Sequence, residues 1–376
     1  MSKCLLCPAE ITTENDSNEH LILNAIGGRR IVRGLVCKSC NNATGHQWDT
    51  VLSTQLLPLI LMFHVFRQRR SAPPTLPVTT TAGEQVTINL DGRLTLTKPK
   101  FETALTEDGK TSYQLAARTM AEARQMVMGL KRKHPEIDVD AILAQATLGE
   151  SYLEGAVHHD LGVGGELAGR SMIKSCVAMA FESGVPLAFC GLAIGYLTRP
   201  DGEPCFGYYH ERDLISDRPT GTPLHCLAVR ADPESGLVLA YAEYFGLHRI
   251  VACIGERYSG PVIEQAYSID PRDGRTLSLG VNLAFDRTDI RDIYDYKRTS
   301  SAGLIEAGDA ILGPAFEQAR RAEQERVAER AVRRAFDTCG AEPGEVLTEE
   351  HAKRIARTMA EGIAPYVLHR LRPIRR

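Results

Sequence analysis

An excess of charge of either sign is missing from this sequence. Its 376 residues carry 44 Lys and Arg against 47 Asp and Glu, a formal net charge of −3. A protein that holds polyanions through its global field is thereby excluded, and any nucleic-acid contact has to come from local basic patches. Long hydrophobic runs are also missing. The longest, Leu56 to Phe66, has Pro58 inside it and falls short of the roughly 20 residues that span a bilayer. With no basic-then-apolar leader at the N-terminus, a cytoplasmic protein with no membrane partner is expected. No internal repeat or low-complexity tract is found. Gly162-Val-Gly164-Gly165 follows no strand, so it fails as a dinucleotide loop and reads as a linker.

The composition that is present is ordinary for a globular protein, 43% hydrophobic and 24% charged, on a chain long enough for two or three domains. Ten cysteines would remain reduced in a cytoplasmic setting. Cys176, Cys190, Cys205, Cys226, Cys253 and Cys339 are scattered in apolar surroundings and read as small buried hydrophobes. The other four, Cys4, Cys7, Cys37 and Cys40, form two C-x-x-C pairs, the spacing of a tetrahedral zinc site. Four thiolates leave no open coordination position, so such a zinc is structural and not catalytic.

Along the chain, residues 1 to 70 read as loop, hairpin and helix, closed by the basic run Arg67, Arg69, Arg70 and the breaker Ser71-Ala-Pro-Pro74. Val86 to Leu90 and Arg93 to Thr97 alternate around Asp91-Gly92, a hairpin signature. The apolar spacing of Met120, Ala123, Met126, Val127 and Leu130 predicts a helix from about Leu115 to Lys133, and a second is expected near Arg170 to Phe181. Beyond these lie four β-rich runs, Leu224 to Val229, Leu237 to Tyr244, Ile250 to Ile254 and Val262 to Ile269, and their short turns suggest an antiparallel meander. Two helices, about Phe316 to Phe336 and Thr348 to Leu371, precede a basic tail; they could pack on the central domain or mediate self-association.

Between the cysteine pairs lies Glu19-His20 and then Gly27-Gly28; directly after the second pair come Asn41, Gly45, His46 and Asp49. This combination resembles the four-cysteine branch of the HNH, or His-Me finger, endonucleases, over about the first fifty residues. The resemblance implies a hairpin and helix around a divalent ion, with zinc holding the two elements apart. It implies that His20 is the general base for the attacking water. Glu19 and Asn41 would hold Mg2+ or Mn2+, with His46 as a candidate extra ligand. Asp49 and Trp48 would brace the helix. The central asparagine of the family pattern is missing from Val32 to Val36, and Asn24 is the nearest substitute. Arg29, Arg30, Arg33 and Lys38 would supply sequence-independent phosphate contacts.

Two further patterns are discounted. Ser171-Met-Ile-Lys174 has the S-x-x-K spacing of serine acyl-enzymes but none of their companion motifs, and fits an amphipathic helix. His158-His159-Asp160 sits in irregular sequence, where adjacent side chains rarely converge on a metal. The expectation is an α+β multidomain protein: an endonuclease module over 1–70, a mixed α/β recognition or regulatory domain over 75–310, and a helical segment over 311–376. Its substrate would be nucleic acid, DNA before RNA, and the architecture resembles restriction and anti-phage defence proteins. An activating ligand or partner for the central domain is left open. The alternative is a non-catalytic zinc module that binds nucleic acid or protein, which has no need of Glu19, His20 and Asn41.

Overall fold

The computed structural model describes residues 3–68, 71–90, 92–107, 109–147, 149–150, 152–153, 155–342 and 344–371. Arg69 and Arg70 of the basic run, Asp91 of the hairpin turn and the tail after Leu371 lie outside them. The chain divides into two compact units, Met1–Pro74 with Leu161–Phe316, and Thr75–Asp160 with Glu317–Arg376. The N-terminal segment of the first unit ends at Pro74. The stretch 75–310 does not form one body. Its first part clusters with the C-terminal helices, and the sheet-forming remainder closes on the N-terminal module.

The first unit opens with β1 (Glu19–His20) and β2 (Ile31–Val32), paired antiparallel with Glu19 opposite Val32 and His20 opposite Ile31. Next come α1 (Lys38–Thr44), a π-helical turn over Gly45–Asp49, α2 (Thr50–Gln55) and α3 (Leu57–Met62). The apolar residues of these elements, among them Leu21, Ile22, Ile26, Leu35, Leu52, Leu56 and Leu59, are fully buried. The module therefore has a core, but not one it keeps to itself. The Phe63 ring stacks on Phe245 with centroids 5.8 Å apart. The buried His225 ring donates from Nε2 to the Ile26 carbonyl at 2.8 Å and accepts the Phe245 backbone N–H at Nδ1, 3.1 Å away.

The partner of the module is a helix-backed antiparallel sheet. Helices α4 (Glu166–Glu182) and α5 (Gly191–Thr198) pack on six strands, β3 (Phe206–Tyr208), β4 (His225–Asp232), β5 (Leu237–Tyr244), β6 (His248–Glu256), β7 (Ile263–Asp270) and β8 (Arg275–Leu277). The strand order is β8-β7-β4-β5-β6-β3. The expected meander holds for β4, β5 and β6 only. Strand β7 crosses back to pair with β4, giving the Greek-key order of four strands. Every residue of β5 is buried, so the sheet is covered on both faces. Its other face carries a core that includes Tyr209, Leu214, Tyr241, Val251, Leu283, Phe285 and Ile293.

The second unit holds a three-stranded sheet of Leu76–Thr79, Gln85–Ile88 and Leu94–Leu96, and a hairpin of Lys100–Leu105 with Thr111–Ala116. Val86 faces Leu96 and Ile88 faces Leu94, as the alternation predicts. The helix expected from Leu115 begins at Met120, because Thr119 caps it by accepting the Glu122 N–H and Leu115 is held in the hairpin. The helix expected from Phe316 begins at Ser301, through three glycines and Pro314. The last helix is Glu349–Leu371, and within this unit the His369 ring stacks on Tyr152 at 4.4 Å.

Candidate active site

Two knuckles bring the four cysteines together. The first is a turn in which the Cys4 N–H donates to the Ala9 carbonyl; the second is the N-terminus of α1, with Cys37 at its cap. The four Sγ atoms all lie within 4.8 Å of one another, and Cys7 and Cys37 are 3.9 Å apart. Zinc–sulfur bonds of about 2.3 Å in a tetrahedron separate sulfurs by roughly 3.8 Å. The residues thus fit a structural zinc. The Cys37 backbone N–H donates to Cys4 Sγ at 3.3 Å, as a thiolate ligand needs. Among the described residues, no other group of three or more His, Cys, Asp or Glu side chains converges in this way. His158-His159-Asp160 is not brought together as a site.

His20, at the end of β1, is half-buried, and its Nε2 lies 3.3 Å from Gln68 Oε1. With the amide oxygen as acceptor, Nε2 carries the proton and Nδ1 is left as a base. Gln68 is in turn fixed by its backbone N–H, which donates to Asn24 Oδ1 at 2.7 Å. Asn24 therefore does stand near the histidine, but it works through a glutamine that no sequence pattern singles out. Burial lowers the His20 pKa below its ordinary value, the charges of Arg29 and Lys174 add to the fall, and the Gln68 contact opposes it. The ring is neutral near pH 7.

Glu19 alternates to the other face of β1 and is almost fully buried. Its Oε1 meets Lys174 Nζ at 2.9 Å, and the same ammonium donates to Asp49 Oδ2 at 2.7 Å and Thr44 Oγ1 at 3.3 Å. Ser171, one turn earlier on α4, donates to Asp49 Oδ1 at 2.6 Å. Ser171 and Lys174, discounted as an S-x-x-K motif, are thus a pair of donors to the N-terminal module, and α4 is not amphipathic but buried from Ala168 to Ala180. Burial pushes the Glu19 carboxyl above the usual carboxylate range, with Lys174 pulling the other way and Asp49 repelling it. Burial also opposes the Lys174 charge, but the two carboxylates outweigh it and hold the ammonium above the ordinary lysine range.

Asn41 sits half-buried within α1, and its carbonyl accepts from Thr44 Oγ1 at 3.3 Å. His46 is exposed on the π-helical turn. Asp49 accepts from Ser171 and Lys174 of α4, and the Arg170 guanidinium lies 5.7 Å from the Trp48 ring centroid. The basic residues divide. Arg30 pairs with Glu182 at 2.7 Å, Arg29 donates to the Phe66 carbonyl and Lys38 to the Glu14 carbonyl, while Arg33 is exposed.

No curated protein and no solved structure matches the chain. A family model described as HNH endonuclease matches residues 4–57, a segment that holds all four cysteines together with Glu19, His20 and Asn41. Strand pairing, helix and cysteine cluster coincide with that segment, and the N-terminal part of this α+β protein is an HNH-type module.

Proposed function

We propose that the protein is a metal-dependent endonuclease that hydrolyses phosphodiester bonds, with DNA as substrate. The observation that carries this reading is the placement of His20. A neutral imidazole on the hairpin, beside the zinc knuckles and held at Nε2 by Gln68, leaves Nδ1 to take a proton from water. Gln68 with Asn24 does for this ring what the missing central asparagine would do. Glu19 and Asn41 would hold the divalent ion, since a carboxylate and an amide are the hard oxygen donors that Mg2+ and Mn2+ prefer. Lys174 engages Oε1 of Glu19. When bound, the ion supplies charge stabilisation at the scissile phosphate and leaving oxygen. Arg33 provides a phosphate contact from the β2 edge, and Arg29, Arg30 and Lys38 contribute positive field while serving their internal partners. Joining a cutting module to a larger body supports a role in restriction or anti-phage defence, with the second unit as the place where a signal would enter.

The test is incubation of purified protein with plasmid, single-stranded DNA and RNA, in Mg2+, Mn2+ or chelator. Cleavage of DNA that requires the cation is expected. Binding without cleavage of any substrate would instead favour a non-catalytic zinc module.

A further inference from the structure

Lys174 lies 117 positions beyond the end of the family-matched segment, yet its side chain is fully buried against that segment. A lysine is almost never buried unless paired, and this one is paired with unusual completeness. An ammonium has three protons. Here they reach Glu19 on β1, Thr44 at the last residue of α1 and Asp49 at the end of the π-helical turn. The strand and the helix are the two halves of the module. Thr44 passes the connection on to the Asn41 carbonyl. A π-helical turn inserts an extra residue into a helix and re-aims the residues after it; here it ends on Asp49, which Ser171 holds by its other oxygen.

We infer that Lys174 is a positioning residue of the nuclease site, fixing the hairpin that carries Glu19 and His20 against the helix that carries Asn41. This rests on the nuclease reading. The lysine touches no reacting atom. It acts by setting the separation of two elements whose ligands must meet one ion, and tolerances of about 1 Å at such sites change rates a hundred-fold. It also leaves the trio of buried Glu19 and Lys174 and half-buried Asp49 with one surplus carboxylate, which suits the neighbourhood of a divalent cation. On this inference the module's site is completed by α4, a helix outside the matched residues.

The experiment uses the full chain in four forms: wild type, Lys174→Met, Glu19→Gln, and Lys174→Met combined with Asp49→Asn. Lys174→Met alone leaves Glu19 and Asp49 both uncompensated, whereas the double variant restores the wild-type net charge of this cluster, so it keeps the test alive if the single variant folds poorly. Zinc content, thermal melting, Mn2+ binding followed by electron paramagnetic resonance, and steady-state cleavage are measured on each. The double variant should hold zinc and melt near wild type, yet lose at least ten-fold in kcat with KM for DNA little changed, and bind Mn2+ more weakly, as Glu19→Gln does. If the double variant regains wild-type kcat and Mn2+ affinity together with its stability, Lys174 merely balances charge and the inference is overturned while the nuclease reading stands. If wild-type protein neither cuts nor binds Mn2+, the nuclease reading itself fails, and the inference falls with it.

Discussion

Acid should weaken the first unit, and the part carried by one ring, His225, can be isolated. Complete burial drives its pKa from the ordinary 6.5 down to about 4, with its bond to the Ile26 carbonyl and the Asp270 charge only partly opposing the fall. The neutral ring donates at Nε2 and accepts at Nδ1, and protonation would turn that acceptor into a second donor facing the Phe245 N–H. Because the folded pKa lies below the unfolded one, the unfolded chain binds more protons between pH 6.5 and 4. Stability is complete above about pH 6.5 and declines as pH falls through that window. A gap of about 2.5 units corresponds to about 3 kcal/mol in full, of which about 2 kcal/mol is lost by pH 5. Urea melts of wild type and His225→Gln at several pH values between 7 and 4.5 isolate the effect, since the variant keeps a side-chain amide but does not titrate. Wild-type stability should fall faster than the variant's by about 1.4 kcal/mol per pH unit inside the window. His248, also lowered to about 4 by burial, titrates in both proteins and cancels. Parallel pH profiles would refute the assignment and show that the ring is protonated without loss.

The site itself makes three other outcomes measurable. Cys37→Ser should reduce zinc from about one per chain, measured by elemental analysis, and expose residues 4–57 to protease, because metal binding and folding are coupled in such modules. His20→Ala should lower the cleavage rate by a hundred-fold to ten-thousand-fold, with zinc content and melting unchanged. A variant that cuts as well as wild type removes His20 from the mechanism. Gln68→Ala should cost on the order of ten-fold in kcat by freeing the ring, an effect read against unchanged DNA binding in a filter or gel assay.

Much of the N-terminal module was legible because its information is local. Cys4 with Cys7 and Cys37 with Cys40 announce their ligand spacing within four residues each, and Glu19-His20 stands between them at a distance that a hairpin can close. The strands β4 to β7 were legible from their β-rich runs, but their order was not: alternation says that β7 is a strand, and only the packed sheet says that it returns to β4. Gln68 and Lys174 stayed hidden because their partners are 48 and 155 positions away, at His20 and Glu19. One signal for Lys174 was available. The run Met172-Ile173-Lys174-Ser175-Cys176-Val177-Ala178-Met179-Ala180 is apolar all round, the mark of a helix with no solvent face. A lysine within it has to find a carboxylate. The division of 75–310 was hidden for the same reason, since the partners of 75–160 lie at the far end of the chain.

The late position of Lys174 has a consequence for the order in which the protein is made. Synthesis at roughly 5–20 residues per second delivers the cysteines and His20 on the order of ten seconds before α4 leaves the ribosome. During that interval the nascent module can take up zinc and form its hairpin, yet the brace between strand and helix does not exist. On the nuclease reading, cutting competence would then arrive only once α4 is in place, so a truncated translation product that stops within residues 75–160 would be released with its knuckles assembled and its catalytic spacing unset.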